Sequence, residues 1–410
     1  MRYPAEQGPS QLEGKPAILI VTELYPNVTN PFLGTFVVQQ LRHLSEHYTI
    51  VVLTTHSIKF RRRLRLVQPR YRDDGGIHVY SVPYYPYFLK FARARRLISQ
   101  ERHMLWNKRY TAGRLAVQAE RLHRRYGFKL VFGQEVYVGD EAVPIGTRLG
   151  IPTVFLLHGL HPYHEKLFGP AAVADALRNM EDADRLISVS RLAAESYCAK
   201  GLRRNDISII PNGTSPRPDP APSPALRDFI RGKTVLLTVG FFSAEKRIHQ
   251  SIHALRDLHA AGERDTVLVV VGTGGLRREL ETLVARLGLE QHVRFLGVVN
   301  PDDMPAVYSA ADILVHPSVV ESFSMVCLEA MSYGKPIVCT EGIGILEYIH
   351  PGVDSVAVPP DRQDLLSDAV AGLVRNPGER RRIGESARRT ALSMTWEEQV
   401  EKTRGILESV

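Results

Sequence analysis

Two carboxylates, Glu321 and Glu329, stand eight residues apart in Pro-Ser-Val-Val-Glu-Ser-Phe-Ser-Met-Val-Cys-Leu-Glu-Ala-Met-Ser-Tyr-Gly-Lys-Pro, residues 317–336. The apolar run Asp-Ile-Leu-Val-His, ending at His316, precedes them. Gly334 and Pro336 close the expected helix in the usual order, a glycine just past its end and a proline shortly beyond. A strand that turns tightly into a helix leaves free backbone N–H groups and positive dipole at the helix N-terminus, which together attract an anion. One Glu before that N-terminus and one in its second turn would bracket a phosphate-bearing sugar, each accepting bonds from hydroxyls. The plain alternative is that both are solvated charges, as most carboxylates are.

A cation with matching placement lies upstream. Gly240 ends an apolar run, and Lys246 follows it in Gly-Phe-Phe-Ser-Ala-Glu-Lys-Arg. A lysine on a strand-to-helix loop at the carboxyl edge of a parallel sheet is placed to neutralise a diphosphate; a solvated loop lysine is the alternative. Gly272, in Val-Gly-Thr-Gly-Gly, ends the next run and lets a ligand approach the backbone, although this is not the dinucleotide fingerprint. In the first half, His158 ends Leu-Leu-His-Gly, and Gly34 lies in Asn-Pro-Phe-Leu-Gly-Thr at the start of the first helix. His158 would touch a reacting sugar or simply pack; Gly34 would approach a phosphate or serve an ordinary loop.

These residues need two scaffolds. With 410 residues, the chain is long enough for two domains with separate cores. Buried-type strands are expected at Ala17 to Thr22, Thr49 to Thr54, His78 to Val82, Leu130 to Phe132, Thr153 to Leu157, Arg185 to Val189 and Ser208 to Ile210. Helical stretches, the first over Gly34 to Ser45, lie between most of them. Alternation restarts with Val235 to Val239, Thr266 to Val271, Val293 to Leu296, Ile313 to His316, Pro336 to Cys339 and Val356 to Val358. Such alternation predicts α/β architecture, two doubly wound Rossmann-like domains facing across a cleft. The expected boundaries are a tail at 1–15, an N-terminal domain at 16–213, a proline-rich linker at 214–228, a C-terminal domain at 229–390, and a closing helix at 391–410 that returns to the first domain.

Charge and cysteine content narrow the setting. The net charge of +8 is concentrated: Lys59 to Arg72 holds seven Lys/Arg and no acid, and Lys90 to Arg114 holds eight against only Glu101. The second stretch interleaves Leu89, Phe91, Leu97, Ile98, Leu105, Trp106 and Tyr110. Basic amphipathic segments suit an anionic membrane surface or a polyanionic ligand, against the alternative of a solvated basic face. No nucleic-acid-binding motif accompanies them, so nucleic acid is not an expected partner. Cys198, Cys327 and Cys339 have no metal-ligand spacing, and no signal-peptide layout or membrane-length apolar run is present. The expected setting is cytoplasmic, with peripheral attachment to the inner face of the plasma membrane.

Taken together, Gly240 with Lys246, Val-Val-Gly-Thr-Gly-Gly, Val-Arg-Phe-Leu-Gly-Val-Val, Ala-Ala-Asp-Ile-Leu-Val-His-Pro-Ser and Glu-x7-Glu resemble retaining glycosyltransferases of the GT-B fold, family-four type. Ser-Val-Ser at 188–190, Ile-Pro-Asn-Gly at 210–213 and Pro-x-x-Gly-x-Phe from Pro31 to Phe36 extend the resemblance over essentially all of 16–410. The resemblance implies a nucleotide-diphosphate sugar as donor and transfer of a hexose with retention. It implies no cofactor and no metal. Glu329 would bond the ribose, Glu321 and the backbone of Ser322, Phe323, Ser324 and Met325 would hold the transferred sugar, and the amides of Met325 and Val326 would meet the distal phosphate. Lys246 would face the diphosphate, Gly240 would sit beside it, and the base would rest near Gly272 and Val298. His158 would stand by the sugar, and Gly34 would approach the phosphates.

Two departures from that family's pattern stand out. Phe241 occupies a position where arginine is common, leaving Arg247 as the candidate replacement. Ser322 and Ser324 replace frequent glycines. The acceptor expected first is a lipid-linked or polysaccharide-precursor glycan. A soluble small molecule and a non-catalytic nucleotide-sugar-binding subunit are the other readings, and a nucleotide-sugar epimerase on the same fold is disfavoured by the Glu-x7-Glu block with Lys246.

Overall fold

The computed structural model describes residues 14–27, 30, 32–56, 59–61, 64–66, 71–83, 100–159, 169–215, 218 and 221–410. Pro31, most of the expected tail, positions 62, 63 and 67–70 of the basic stretch 59–72, positions 90–99 and four positions of the expected linker lie outside them. The chain divides into two compact units. The first comprises Met1–Ser188, Ala194–Ser208 and Val400–Val410; the second comprises Val189–Ala193 and Ile209–Gln399.

In the first unit the strands are β1 (Ala17–Thr22), β2 (Thr49–His56), β3 (Lys59–Arg61), β4 (Leu64–Leu66), β5 (Tyr71–Asp73), β6 (His78–Pro83), β7 (Leu130–Gln134), β8 (Thr153–Leu157), β9 (Arg185–Ser188) and β10 (Ile207–Ile209). Among the described residues one sheet runs β10-β9-β8-β7-β1-β2-β6-β5, and β3 pairs separately with β4. Every residue of β1 and β7 is buried, which is what a strand covered on both faces requires and why these runs show no polar alternation. The order places β2 on one side of β1 and β7 on the other, so the winding reverses between β1 and β7. Residues past Thr22 and Gln134, which are in register, therefore border a topological switch point.

The second unit carries β11 (Thr234–Val239), β12 (Thr266–Val271), β13 (Val293–Gly297), β14 (Ile313–His316), β15 (Ile337–Thr340) and β16 (Val356–Val358). Their sheet order, β13-β12-β11-β14-β15-β16, is entirely parallel. Counted within the sheet this is 3-2-1-4-5-6, the doubly wound order, with the reversal between β11 and β14. Leu236, Leu268, Val270, Ile313 and Val338 pack with Ile252, Leu255, Val370 and Leu373 from the covering helices to form its core.

The proline-dense stretch is not linker throughout, as the sequence had suggested. Pro224 opens a helix, Pro224–Ile230, with Ser223 as its cap; proline is well suited to a first helical position because its missing N–H has no partner there in any case. Thr214, at the start of the same stretch, is bonded to Met394 and bridged to Thr395. The closing helix spans Trp396–Leu407. Lys108 also departs from expectation: it is buried against Asp140 at 2.6 Å and does not belong to the exposed basic face. Cys327 and Cys339 are buried free thiols and Cys198 is exposed. No helix among the described residues is long and apolar enough to cross a membrane.

Candidate functional site

The carboxyl ends of β13, β12, β11 and β14 lie side by side, and each is followed by a residue singled out above. In that order they are Val298, Gly272, Gly240 with Lys246, and Glu321. Neighbouring strands are about 4.8 Å apart, so this edge spans roughly 14 Å, room for an elongated ligand. The loops are bonded to one another along the edge: Gly272 N to Gly297 O, Phe242 N to Thr273 O, and Val319 N to Glu245 O, at 2.8, 2.8 and 3.0 Å. Gly272 has φ +132°, and a Cβ there would meet Gly240 O at 1.9 Å, so the close approach of these two loops demands glycine. Val298 and Phe241 are 51% and 60% exposed, leaving apolar surface uncovered along this edge.

At the switch between β11 and β14 the charged groups meet. Lys246, ending the short turn Ala244–Lys246, is ion-paired through Nζ with Glu321 Oε1. His316, the last residue of β14 and buried, places Nε2 3.0 Å from the same oxygen and 3.2 Å from Ser324 Oγ. Burial opposes ionisation of Glu321, but His316 and then Lys246 outweigh it and hold its carboxyl down at about 2. Glu321 is therefore an anion already neutralised by its neighbours.

Ser324 adopts φ +89° and caps the helix Met325–Ser332, its hydroxyl accepting from Cys327 N at 3.4 Å. Its carbonyl accepts from Leu328 N. The amides of Met325 and Val326, both partly exposed, have no acceptor among the described residues. They offer two N–H donors at a helix N-terminus, beside Glu321. The loop before them is tied at both ends, with Gly344 N on Glu321 O at 3.0 Å and Ser190 Oγ on Ser322 O at 2.5 Å. Phe323 turns its side chain into the core, edge-on to Tyr348 at 5.7 Å, so only its backbone is left for a ligand. Glu329, in the second turn, accepts from the buried Tyr308 hydroxyl at 2.7 Å. Arg247 has φ +47° and pairs with Asp361 at 2.6 Å, so serving a diphosphate in place of the arginine absent at Phe241 requires it to leave that partner.

The two remaining candidates belong to the first unit. Gly34 (φ +65°) precedes the helix Thr35–Leu44, and a Cβ there would sit 2.1 Å from Leu24 O, so the loop after β1 closes onto it only with glycine present. His158 follows β8, its Nε2 3.2 Å from Gln134 Oε1 and its ring edge-on to Phe36 at 5.0 Å. Gln134 donates its amide to Gln40 at 2.9 Å, so its oxygen faces His158 and the imidazole proton belongs on Nε2, leaving Nδ1 as an acceptor. Burial keeps this ring neutral, lowering its pKa to about 3. Carboxyls crowd the same edge: burial raises Glu23 to about 8, Glu135 to about 7 and Glu141 to about 8, with like charge adding to the first and third.

Family models match both halves: "Glycosyl transferase 4-like domain" over residues 33–213 and "Glycosyl transferases group 1" over 227–390. The chain belongs to the group 1 glycosyl transferases. Among solved structures, Alr3699/HepE of Anabaena in complex with UDP superposes with a TM-score of 0.71 at 18% identity, covering 97% of this chain and 100% of that one. The fold is accordingly of GT-B type. An alpha-D-kanosaminyltransferase of Streptomyces kanamyceticus is 33% identical over 155 residues, 38% of this chain and 40% of the relative. A D-inositol 3-phosphate glycosyltransferase of Salinispora arenicola is 34% identical over 153 residues, 36% of this chain and 34% of the relative. The matches thus span well under half the length of these curated relatives.

Within this group 1 chain the second unit gathers Gly240, Lys246, Gly272, Val298, Glu321, Ser322, Ser324, Met325, Val326 and Glu329 along one sheet edge and its switch point, while Gly34 and His158 stand at the corresponding edge of the first sheet. His316, Tyr308 and Gln134 were not foreseen as site residues. His316 carried a signal, a polar residue closing an otherwise apolar strand. Tyr308 and Gln134 carried none, because each matters only through a partner far away in sequence.

Proposed function

We propose that the chain transfers a hexose from a nucleotide-diphosphate sugar to an acceptor, with retention at the anomeric carbon and without a metal. The observation that carries this is the convergence of Lys246, Glu321 and the amides of Met325 and Val326, which have no acceptor among the described residues, at one switch point: a cation, a carboxylate and two N–H donors suited to a sugar diphosphate. The barrier is separation of an oxocarbenium-like sugar from its diphosphate, so groups that stabilise the leaving phosphate dominate the rate. Glu321 orients the sugar hydroxyls and Glu329 the ribose; His158, on the first unit, presents Nδ1 as an acceptor. The leaving phosphate takes the acceptor proton, and no protein general base is assigned. The UDP bound by the Anabaena neighbour supports a uridine donor as the first to test.

For the acceptor, a lipid-linked or polysaccharide-precursor glycan at the inner face of the plasma membrane is supported by one helix, Gln100–Tyr126. Arg102, Arg109 and Arg114 are exposed on it beside Trp106 and Tyr110, which are 47% and 40% exposed rather than packed inward. Exposed aromatic and basic side chains together suit an anionic headgroup layer. The names of the two curated relatives favour a second reading, a soluble small-molecule acceptor.

The decisive test is turnover of UDP-, GDP- and ADP-sugars, read as donor hydrolysis and as transfer in the presence and absence of EDTA. Binding without turnover of any donor would leave a nucleotide-sugar-binding subunit. Loss of turnover with EDTA would end the metal-free reading. Flotation with phosphatidylglycerol vesicles at low salt separates the acceptor classes, since a chain that stays at the bottom of the gradient argues for the soluble one.

A further inference from the structure

We propose that Tyr308 is a positioning residue that fixes the Glu329 carboxylate for the ribose diol of the donor. The inference rests on the reading of Glu329 given above and deepens it. Glu329 is partly exposed on the helix Met325–Ser332, and a free glutamate there would sample several rotamers. Ordering such a side chain at the moment of binding subtracts from affinity. Tyr308 removes that freedom beforehand. It reaches from another helix, Met304–Ala310, and its hydroxyl donates to Glu329 Oε2 at 2.7 Å. The phenol itself is immobile, being 2% exposed and stacked on Tyr333 with ring centroids 5.8 Å apart and planes at 15°.

Two chemical points make the arrangement suitable for a diol. A carboxylate has about four acceptor sites, so the bond from Tyr308 does not by itself exhaust its capacity for sugar hydroxyls. Burial, and then the Glu329 charge, push the phenol pKa well above its ordinary value, so the group remains a donor throughout the range in which the protein works. Tyr308 is buried and bonded to Glu329, so it acts through that carboxylate.

The experiment is calorimetric titration of UDP, GDP and ADP, followed by the 2′,3′-dideoxy form of whichever binds best. Removing the diol is expected to weaken binding to the wild-type chain about ten- to hundredfold. Tyr308→Phe keeps the stacked ring and is expected to weaken the parent diphosphate about three- to tenfold while leaving the dideoxy form unchanged, so that the ratio between them narrows. Tyr333→Leu, which removes the stacking neighbour and keeps the hydroxyl, leaves the ratio intact if the hydroxyl is what matters; equal narrowing in both variants reduces Tyr308 to packing and overturns the proposal. If Glu329→Ala retains the full ratio, the reading of Glu329 fails and the proposal with it. If Glu329→Ala collapses the ratio and Tyr308→Phe does not narrow it, the Tyr308 assignment alone fails. Should the phenylalanine chain not melt cooperatively, 3-fluorotyrosine at position 308, a stronger donor, is expected to widen the ratio, and an unchanged ratio refutes the assignment. No binding of any of the three diphosphates to the wild-type chain overturns both readings.

Discussion

Lys246 and Glu321, which reach the second sheet's switch point from loops 75 residues apart in sequence, are ion-paired with each other. The same carboxylate oxygen lies 3.0 Å from His316 Nε2. The cation proposed for the diphosphate and the carboxylate proposed for the sugar thus satisfy one another. On the proposed function, a diphosphate arriving at the switch point would compete with Glu321 for the ammonium and release carboxylate capacity toward sugar hydroxyls. Lys246→Ala removes the cation and leaves Glu321 with His316 only. We expect kcat/KM to fall by about 10²–10³, the usual cost of deleting one preorganised charge-stabilising donor. Steady-state kinetics with the best donor checks this; a loss below about tenfold would take Lys246 out of the diphosphate site.

Ser324 carries a cost that its sequence context hides. Its φ of +89° lies where a side chain is strained by about 1–2 kcal/mol. Its hydroxyl offsets part of this through Cys327 N and His316. Glycine removes the strain and loses only a few tenths of a kcal/mol as a cap. Ser324→Gly is therefore expected to stabilise the fold by about 0.5–1 kcal/mol in chemical denaturation. A net loss would mean that the contact with His316 outweighs the backbone term.

This serine marks where sequence reading stops. Fully buried runs such as Ala17–Thr22 and Thr266–Val271 were legible as strands because burial on both faces leaves no polar alternation. Lys246 and Glu321 were readable as loop residues past strand ends, and Glu329 as a residue of the helix that follows, because the apolar runs before those loops are plain. The serine's positive φ was not, since serine serves equally well as an ordinary cap. Nor was the proline-dense stretch fully readable: a proline breaks a helix interior and opens a helix start, and only the Ser223 cap decides that Pro224 does the second. Lys108 read as one more surface cation because its buried partner, Asp140, lies 32 residues away.

Gly34 gives a direct test of the loop after β1. A methyl group there would overlap Leu24 O at 2.1 Å, backbone against backbone, and no rotamer change relieves it. The φ of +65° adds strain of its own. Gly34→Ala is expected to destabilise the chain by about 2 kcal/mol or more. Urea denaturation with intrinsic fluorescence measures this. A variant as stable as the wild type would show that the loop is not held against Gly34 in solution.

The desolvated carboxyls of the first unit predict how stability changes with pH. Burial raises Glu23 to about 8, Glu135 to about 7 and Glu141 to about 8, whereas in the unfolded chain each titrates near 4.5. Between about pH 5 and 8 the folded state therefore holds protons that the unfolded state has released, and stability falls as pH rises through that window. His158 works in the opposite sense. Its folded pKa is lowered to about 3, so below its ordinary value of 6.5 the unfolded chain takes up a proton that the folded one refuses, and stability falls as pH drops. Three carboxyls against one imidazole make the first slope the steeper. We expect the melting temperature to rise as pH is lowered from 8 to about 5 and to level off only below that, where the unfolded carboxyls also take up protons. Glu135→Gln preserves an acceptor for the Val136 amide, which Glu135 Oε1 now binds at 3.2 Å, and removes the group's titration. That variant should gain on the order of 1–3 kcal/mol over the wild type at pH 8 and little at pH 5, flattening the curve. Because the comparison is made at each pH on an uncharged isostere, an equal gain at both ends would assign the effect to packing rather than to the proton.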